Sequence, residues 1–372
     1  MNKTKKPVTV LIACGGTAGH LLPAQNFARS LMNTRPDIKV VFIGSGISDN
    51  DFFNKKEFFH KEVLSATPLI KSPKQRIFSI VKLIKGVGQS IYYIKKLKPS
   101  VIVGFGSYHS FPPLFASRFM KTPICLFESN VHPGVVNRFC SRWAQLSAVL
   151  FPPAIGNLRS KSRLVTMPYN AKMVEYSKIS KTDAYKYFGL NANTLTILVF
   201  GGSQGALVIN QKAIEAFIEL KKQGVDFQVI HIVGKNSCLQ MTKKIYSEHA
   251  ITHCVKQFEE HIVSAYKIAD IGISRAGSCI FCAIKYSLPS IFIPYPYATE
   301  NHQYKNAMFV TDNVKGSITI EQKELKSKTL IEKILYLINN NYELLNTYKA
   351  SLEKYNIDNQ THELHDLISE WI

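Results

Sequence analysis

Short runs of β-branched and other apolar residues recur along this chain, each followed by a longer amphipathic stretch. They are Val8 to Ala13, Val40 to Ile43, Val101 to Phe105 and Ile124 to Phe127, then Leu195 to Phe200, Phe227 to Val233, Ile271 to Ser274 and Ser290 to Ile293. This alternation predicts βα units and parallel sheets, because a parallel pair needs a crossover long enough to hold a helix. Two of the runs end in similar glycine loops, Gly15-Gly16-Thr17-Ala18-Gly19-His20 and Gly201-Gly202-Ser203-Gln204-Gly205-Ala206, which begin 186 positions apart (201 − 15). With 372 residues the chain also exceeds the roughly 250–300 at which single cores divide. The expected architecture is α/β, with two Rossmann-like doubly wound parallel sheets. The expected domains are 1–167 and 168–345. Arg163 to Ser180, containing Met167-Pro168-Tyr169-Asn170, would be the hinge, and a C-terminal helix in 346–372 would pack back on the first domain.

Hydrophobic residues make up 46% of the chain, as in ordinary globular proteins, while the formal charge is +20. A surface that basic attracts polyanions over a Debye length of about 8–10 Å. No zinc-finger spacing, aromatic RNA-binding motif or helix-turn-helix signature is present, so nucleic acid is not the expected partner. Seven cysteines, an odd number without regular spacing, point to free thiols in a reducing compartment. Cys279-Ile-Phe-Cys282 has no second pair to complete a zinc site and reads as packing at a helix start. Lys3, Lys5 and Lys6 before Val8 to Ala13 imitate a signal peptide, but the apolar run is short and breaks at Gly15-Gly16, so it reads as a first strand. No stretch reaches the ~18 apolar residues of a membrane span, and any membrane association would be peripheral.

Glycines directly after a strand let backbone approach a ligand, and the following helix N-terminus offers unpaired N–H groups. Both glycine loops are therefore candidate phosphate sites, although glycines also serve tight strand–helix packing. Neither is a Walker A loop, since no Lys-Ser/Thr follows, and neither has GxGxxG spacing. A third junction, Ser274-Arg275-Ala276-Gly277-Ser278-Cys279, would open on the same sheet edge as Gly201 to Ala206, so that two helix N-termini converge on one diphosphate. Further on, the polar loop from Pro294 to Ala307 carries Glu300, Asn301, His302 and Gln303, suited to hydrogen-bonding a sugar or ribose. His20 begins the helix after the first loop, where the helix dipole disfavours its protonated form. A neutral imidazole there could take a proton from an attacking hydroxyl, or could simply cap or pack.

Lys71 to Lys98 mixes eight cations with apolar residues. Ile77, Ile80, Val81, Ile84, Val87, Ile91 and Ile94 mark one helical face, expected to cover the sheet. The remaining basic and apolar residues would suit an anionic membrane surface.

Taken in order, these loops resemble those of the MurG family of bacterial lipid-linked N-acetylglucosaminyltransferases. The motifs that carry the resemblance are Gly15 to Ala24, Gly104 to Ser110 with Pro112, Glu128-Ser129-Asn130, Asn137-Arg138, Phe200 to Ala206, Ser274 to Ser278 and His302 to Ala307. The resemblance implies a GT-B fold with an interdomain cleft. It also implies inverting, metal-independent transfer of N-acetylglucosamine from UDP-N-acetylglucosamine to the muramyl 4-hydroxyl of undecaprenyl-linked lipid I, without a cofactor. By position, His20 and Glu128 would be catalytic. Thr17, Ala18, Gly19, Ser203, Gln204, Gly205, Phe258, Ala276, Gly277, Ser278, His302 and Gln303 would bind the donor, with Phe258 capping the uracil. Gly15, Gly16, Tyr108, Ser110, Asn130, Asn137 and Arg138 would bind the acceptor. The implied location is the cytoplasmic face of the inner membrane, peripherally, beside other cell-wall enzymes.

The sequence departs from that pattern in places. Ala283 stands where the family has a ribose-gripping glutamate, Phe127-Glu128-Ser129-Asn130 replaces His-Glu-Gln-Asn, and Tyr297 replaces a histidine. Two other readings follow from these changes: a related glycolipid glycosyltransferase, and a catalytically weak scaffold of the cell-wall machinery.

Overall fold

The computed structural model describes residues 8–66, 73–202, 205–235 and 237–372, without the side chains of Pro73 and Arg76. The chain divides into two compact units, Met1–Ala171 with Thr361–Ile372, and Lys172–Gln360.

In the first unit the elements run β1 (Thr9–Ala13), α1 (Ala18–Thr34), β2 (Lys39–Gly44), β3 (Phe59–Glu62), α2 (Pro73–Leu97), β4 (Val101–Gly104), α3 (Phe111–Met120), β5 (Ile124–Glu128), α4 (Val135–Cys140), β6 (Leu146–Val149) and β7 (Lys161–Leu164). The strands form one parallel sheet in the order β3-β2-β1-β4-β5-β6-β7. In the second unit α5 (Ala171–Lys178) and α6 (Lys181–Phe188) lead into β8 (Thr196–Phe200), α7 (Leu207–Lys222), β9 (Gln228–Ile232), α8 (Leu239–Glu248) and β10 (Thr252–Lys256). There follow α9 (Ile262–Ile268), β11 (Ile271–Ser274), α10 (Cys279–Lys285), β12 (Ser290–Phe292), α11 (His302–Met308), β13 (Ser317–Thr319) and α12 (Ser327–Asp358). This sheet is also parallel, ordered β10-β9-β8-β11-β12-β13. Both sheets thus repeat one strand order, third-second-first-fourth-fifth-sixth.

The eight expected strands form within one residue of their predicted limits. Among the described residues there are five more, and four of these, β3, β7, β10 and β13, are the sheet edges. An edge strand packs against one neighbour and keeps polar residues, so β3 reads Phe-His-Lys-Glu and β7 Lys-Ser-Arg-Leu, each with a single apolar residue and no apolar run. The central strands are buried on both faces, and the fully buried β1 is typical.

Helix α2 keeps the second half of its expected face and departs from the first: Ile94 is buried and Val87 and Ile91 pack against the core, whereas Ile77, Ile80, Val81 and Ile84 are exposed, and Ser79, Gly86 and Ser90 are buried in their place. The reason is close approach: a β-carbon on Gly86 would overlap the Leu64 carbonyl, so small residues select the packed face.

Residues 346–358 stay with the second unit, where Leu352 is buried; α12 itself bends at Asn339–Tyr342. The chain then rejoins the first unit. His362 donates its N–H to the Leu164 carbonyl, its own carbonyl accepts from Thr166 N–H, and α13 (Leu364–Leu367) brings His365 near Ser30.

Candidate active site

In the first sheet the strand order reverses beside β1 and β4, and their carboxyl ends carry the Gly15-Gly16 and Gly104-Phe105-Gly106-Ser107 loops. Such a switch point is where ligands of doubly wound sheets bind. His109 forms the floor of the first loop. A β-carbon on Gly16, whose φ is +83°, would lie 2.7 Å from the His109 ring. The ring's Nδ1 lies 2.6 Å from the Ser45 hydroxyl, and burial lowers the pKa of this imidazole, favouring its neutral form. Asn50 donates to the Gly16 carbonyl at 2.6 Å, fixing the loop from above. The nearby amides of Gly46, Ile47 and Ser48 already bind the Glu62 carboxylate and are not an open anion cradle.

Thr17 precedes α1 in extended conformation, yet its side chain makes no helix cap. Its hydroxyl lies 3.0 Å from His20 Nδ1 instead. Gly106 brings the next partners together: a β-carbon there would stand 3.4 Å from Asn137 Nδ2 and 3.7 Å from His20 Cδ2. Ser107 beside it holds φ +72°, a conformation that costs a non-glycine residue about 1–3 kcal/mol.

Glu128 ends β5 and is 4% exposed. Its carboxylate accepts four hydrogen bonds, from Asn130 N–H (2.9 Å), Asn130 Nδ2 (3.0 Å), Gly134 N–H (2.9 Å) and Asn137 Nδ2 (2.9 Å). Asn137 also donates to the Phe127 carbonyl at 2.9 Å, while its buried Oδ1 has no partner. Its four donors tie the Glu128 carboxylate into the 128–137 loop. Ser110 is fully buried, and its hydroxyl donates to the Gly106 and Ser107 carbonyls, which shapes the turn. Arg138 similarly braces the Pro133 carbonyl, and Tyr108 receives Ser65 on its carbonyl.

The second sheet reverses beside β8 and β11. Gly205, with φ +80°, rests against the Val233 carbonyl, and no β-carbon would fit between them. Ser203 and Gln204 lie outside the described residues. After β11, Ala276 is fully buried and its carbonyl accepts Asn306 Nδ2 at 3.0 Å. Gln303 Nε2 stands 3.8 Å from where a Gly277 β-carbon would be, and Gln303 Oε1 receives Tyr295 N–H at 3.0 Å. His302 Nδ1 donates to the Thr299 carbonyl at 2.8 Å, which leaves Nε2 as the acceptor nitrogen. Ser278 precedes α10, where the Cys279 thiol donates to the Arg275 carbonyl at 2.8 Å. The Arg275 guanidinium reaches the Ile293 and Pro294 carbonyls and Gln322, tying this loop to the one that carries His302. Ala283 is buried, so that position offers no polar group to a ribose.

Phe258 is 66% exposed on a braced loop. Buried Glu259 accepts His261 N–H (2.7 Å), the Tyr187 hydroxyl (3.1 Å) and Lys256 (2.5 Å), and the His261 ring stacks 3.5 Å from Tyr176 and 4.3 Å from Tyr187. Sequence reasoning missed Tyr187 and Glu259, and it gave no role to His109 and Arg275 although both stand inside motif loops, Gly104 to Ser110 and Ser274 to Ser278. Each acts by tertiary packing, and of the two missed residues only Glu259, next to Phe258, carried a local signal.

The sequence matches the glycosyltransferase family 28 N-terminal domain over residues 10–149 and the glycosyltransferase family 28 C-terminal domain over residues 196–366. It is 38% identical over 330 residues to the UDP-N-acetylglucosamine–N-acetylmuramyl-(pentapeptide) pyrophosphoryl-undecaprenol N-acetylglucosamine transferase of Protochlamydia amoebophila, covering 88% of this chain and 87% of that one. The enzyme of the same name from Chlamydia pneumoniae is 31% identical over 98% of this chain and 99% of its own. Among solved structures, Acinetobacter baumannii MurG superposes with a TM-score of 0.75 at 24% identity, over 98% of this chain and 100% of that one. A UDP-glucose:anthocyanidin 3-O-glucosyltransferase in complex with UDP gives 0.65 at 13% identity, over 98% and 99%. The fold is that of GT-B glycosyltransferases, and the chain belongs to glycosyltransferase family 28, in its MurG branch.

Proposed function

We propose that the chain transfers N-acetylglucosamine from UDP-N-acetylglucosamine to the 4-hydroxyl of the muramyl sugar of undecaprenyl-linked lipid I, giving lipid II. The observation that carries this reading is the pair of loops at Gly201–Ala206 and Arg275–Ser278, leaving adjacent strands at the switch point of a sheet in a family 28 domain. Backbone N–H groups and helix dipoles there suit a diphosphate. Phe258 offers a ring face to the base, and His302 and Gln303 offer polar atoms to the sugar. On the first unit, Gly15, Gly16, Thr17, Tyr108, Asn130 and Asn137 would form the acceptor side together with His20.

In this mechanism His20 Nε2 takes the proton of the acceptor hydroxyl as its oxygen bonds to the anomeric carbon. The bond from that carbon to the diphosphate oxygen breaks with inversion, and UDP leaves with the electron pair. The loop N–H groups of the second unit stabilise the charge growing on the diphosphate. Glu128 acts at one remove, by orienting Asn130 and Asn137. The glycolipid and scaffold readings are not favoured, since the transferases named above match over nearly the whole chain.

The same reading includes peripheral attachment to an anionic membrane on the cytoplasmic side. Among the described residues no helix is long and apolar enough to cross a membrane. Helix α2 instead exposes Ile77, Phe78, Ile80, Val81 and Ile84 among Lys74, Lys82 and Lys85. Purified protein with a lipid I analogue and labelled UDP-N-acetylglucosamine should yield labelled lipid and UDP in equal amounts. Donor hydrolysis without lipid product, or no turnover at all, overturns the assignment.

A further inference from the structure

Beneath the glycine loop of the second unit, Tyr246, His231, Asn210 and Ser237 form a directional hydrogen-bond relay. Tyr246 and His231 are fully buried and Asn210 nearly so. Asn210 Nδ2 lies 2.9 Å from the Val233 carbonyl and 2.7 Å from the Ser237 hydroxyl. A carbonyl only accepts, so this contact fixes which end of the amide is nitrogen. Asn210 Oδ1 then faces His231 Nε2 at 3.1 Å and must accept from it. The His231 proton is therefore on Nε2, and Nδ1 accepts the Tyr246 hydroxyl at 2.7 Å. Burial lowers the His231 pKa to about 3 and raises that of Tyr246, which keeps both groups neutral. Every polar atom of the relay has one role, so it permits one arrangement.

The turn it holds is shared by two loops. On one side Gly205 abuts the Val233 carbonyl and stands close to Gly234. On the other, Gly234 N–H donates to the Gln257 carbonyl at 3.1 Å, and Gln257 Nε2 donates to the Lys235 carbonyl at 3.3 Å, one residue before Phe258. A single turn thus sets the spacing between the glycine loop and the aromatic loop.

We propose that Asn210 is a positioning residue for the donor nucleotide: through this relay it holds the Val233–Lys235 turn so that diphosphate and base are gripped at the correct separation. The proposal rests on the reading of Gly201–Ala206 as the donor diphosphate loop. It assigns to Asn210, His231 and Tyr246 a role in affinity for UDP, with the chemical step left to other residues.

The test measures UDP binding by calorimetry, thermal unfolding and steady-state kinetics on the full chain. Asn210→Leu, which keeps volume but loses all three hydrogen bonds, should raise the Kd for UDP and the donor KM about tenfold, with kcat at saturating donor within about twofold. Tyr246→Phe removes one oxygen and keeps the packing, so it carries the test where Asn210→Leu does not fold; a smaller rise of about threefold is expected. Variants with a lowered Tm and wild-type Kd and KM overturn the proposal, because the relay would then serve only the core. A wild-type protein that binds no UDP overturns the donor reading and this proposal with it.

Discussion

The Thr17 hydroxyl lies 3.0 Å from Nδ1 of His20, in the position where a threonine before a helix ordinarily caps the backbone. Helix capping has been exchanged for control of one imidazole. If Nδ1–H donates to Thr17, Nε2 carries the lone pair required of a base.

His20→Ala should lower kcat by about 10²- to 10⁴-fold with little change in donor KM. Thr17→Val should lower kcat by about tenfold through loss of ring orientation, and Thr17→Ser should restore it. Steady-state kinetics with a lipid I analogue measure both. A Thr17→Val enzyme as fast as wild type would show that the hydrogen bond does not orient the base.

Glu128→Gln separates scaffolding from chemistry. An amide nitrogen in place of one carboxylate oxygen faces N–H donors, so the substitution should destabilise by about 1–3 kcal/mol, seen in denaturant unfolding, together with a fall in kcat. Unchanged stability with lost activity would return Glu128 to a direct chemical role.

Acid should weaken the fold through His231. Its folded pKa of about 3 lies below the ordinary 6.5, so below pH 6.5 the unfolded chain binds a proton that the native chain refuses. The contribution is complete above pH 6.5 and is lost as pH falls toward 3, by at most about 1.4 kcal/mol per pH unit. Unfolding free energies measured between pH 7 and 4.5 should show this slope, and His231→Gln should reduce it. An identical slope in the variant would assign the acid sensitivity elsewhere.

The exposed face of α2 makes a prediction about membranes. Protein should sediment with vesicles containing phosphatidylglycerol and much less with neutral ones, with binding weakened by salt. Phe78→Ser with Ile84→Ser should weaken partition by about tenfold or more, from the loss of roughly 1.5 kcal/mol or more of apolar burial. Equal binding by the double variant would remove α2 from the contact.

Strand positions were legible because central parallel strands are buried on both faces, and Val10, Leu11 and Ile12 can be little else. The edge strands were not, since an edge is defined by the absence of a neighbour and Phe59 to Glu62 carry no such mark. The first half of the α2 face was misread for a related reason. Periodicity selected the bulkiest stripe, whereas the contact with Leu64 and Pro112 required the smallest one at Gly86.

The candidate site divides along the same line. The sequence alone determined the two sheets, the glycine loops at their switch points and the motif residues around them, because these depend on local backbone requirements and spacing. Only the tertiary structure decided which side chains remain available. It spent Glu128 on four donors and Ser110 on a turn, placed His109 beneath Gly16, and closed Asn210, His231 and Tyr246 into a relay. Hydrogen-bond partners far apart in the chain leave no periodic trace, and they become visible only when burial forces each polar atom to find one.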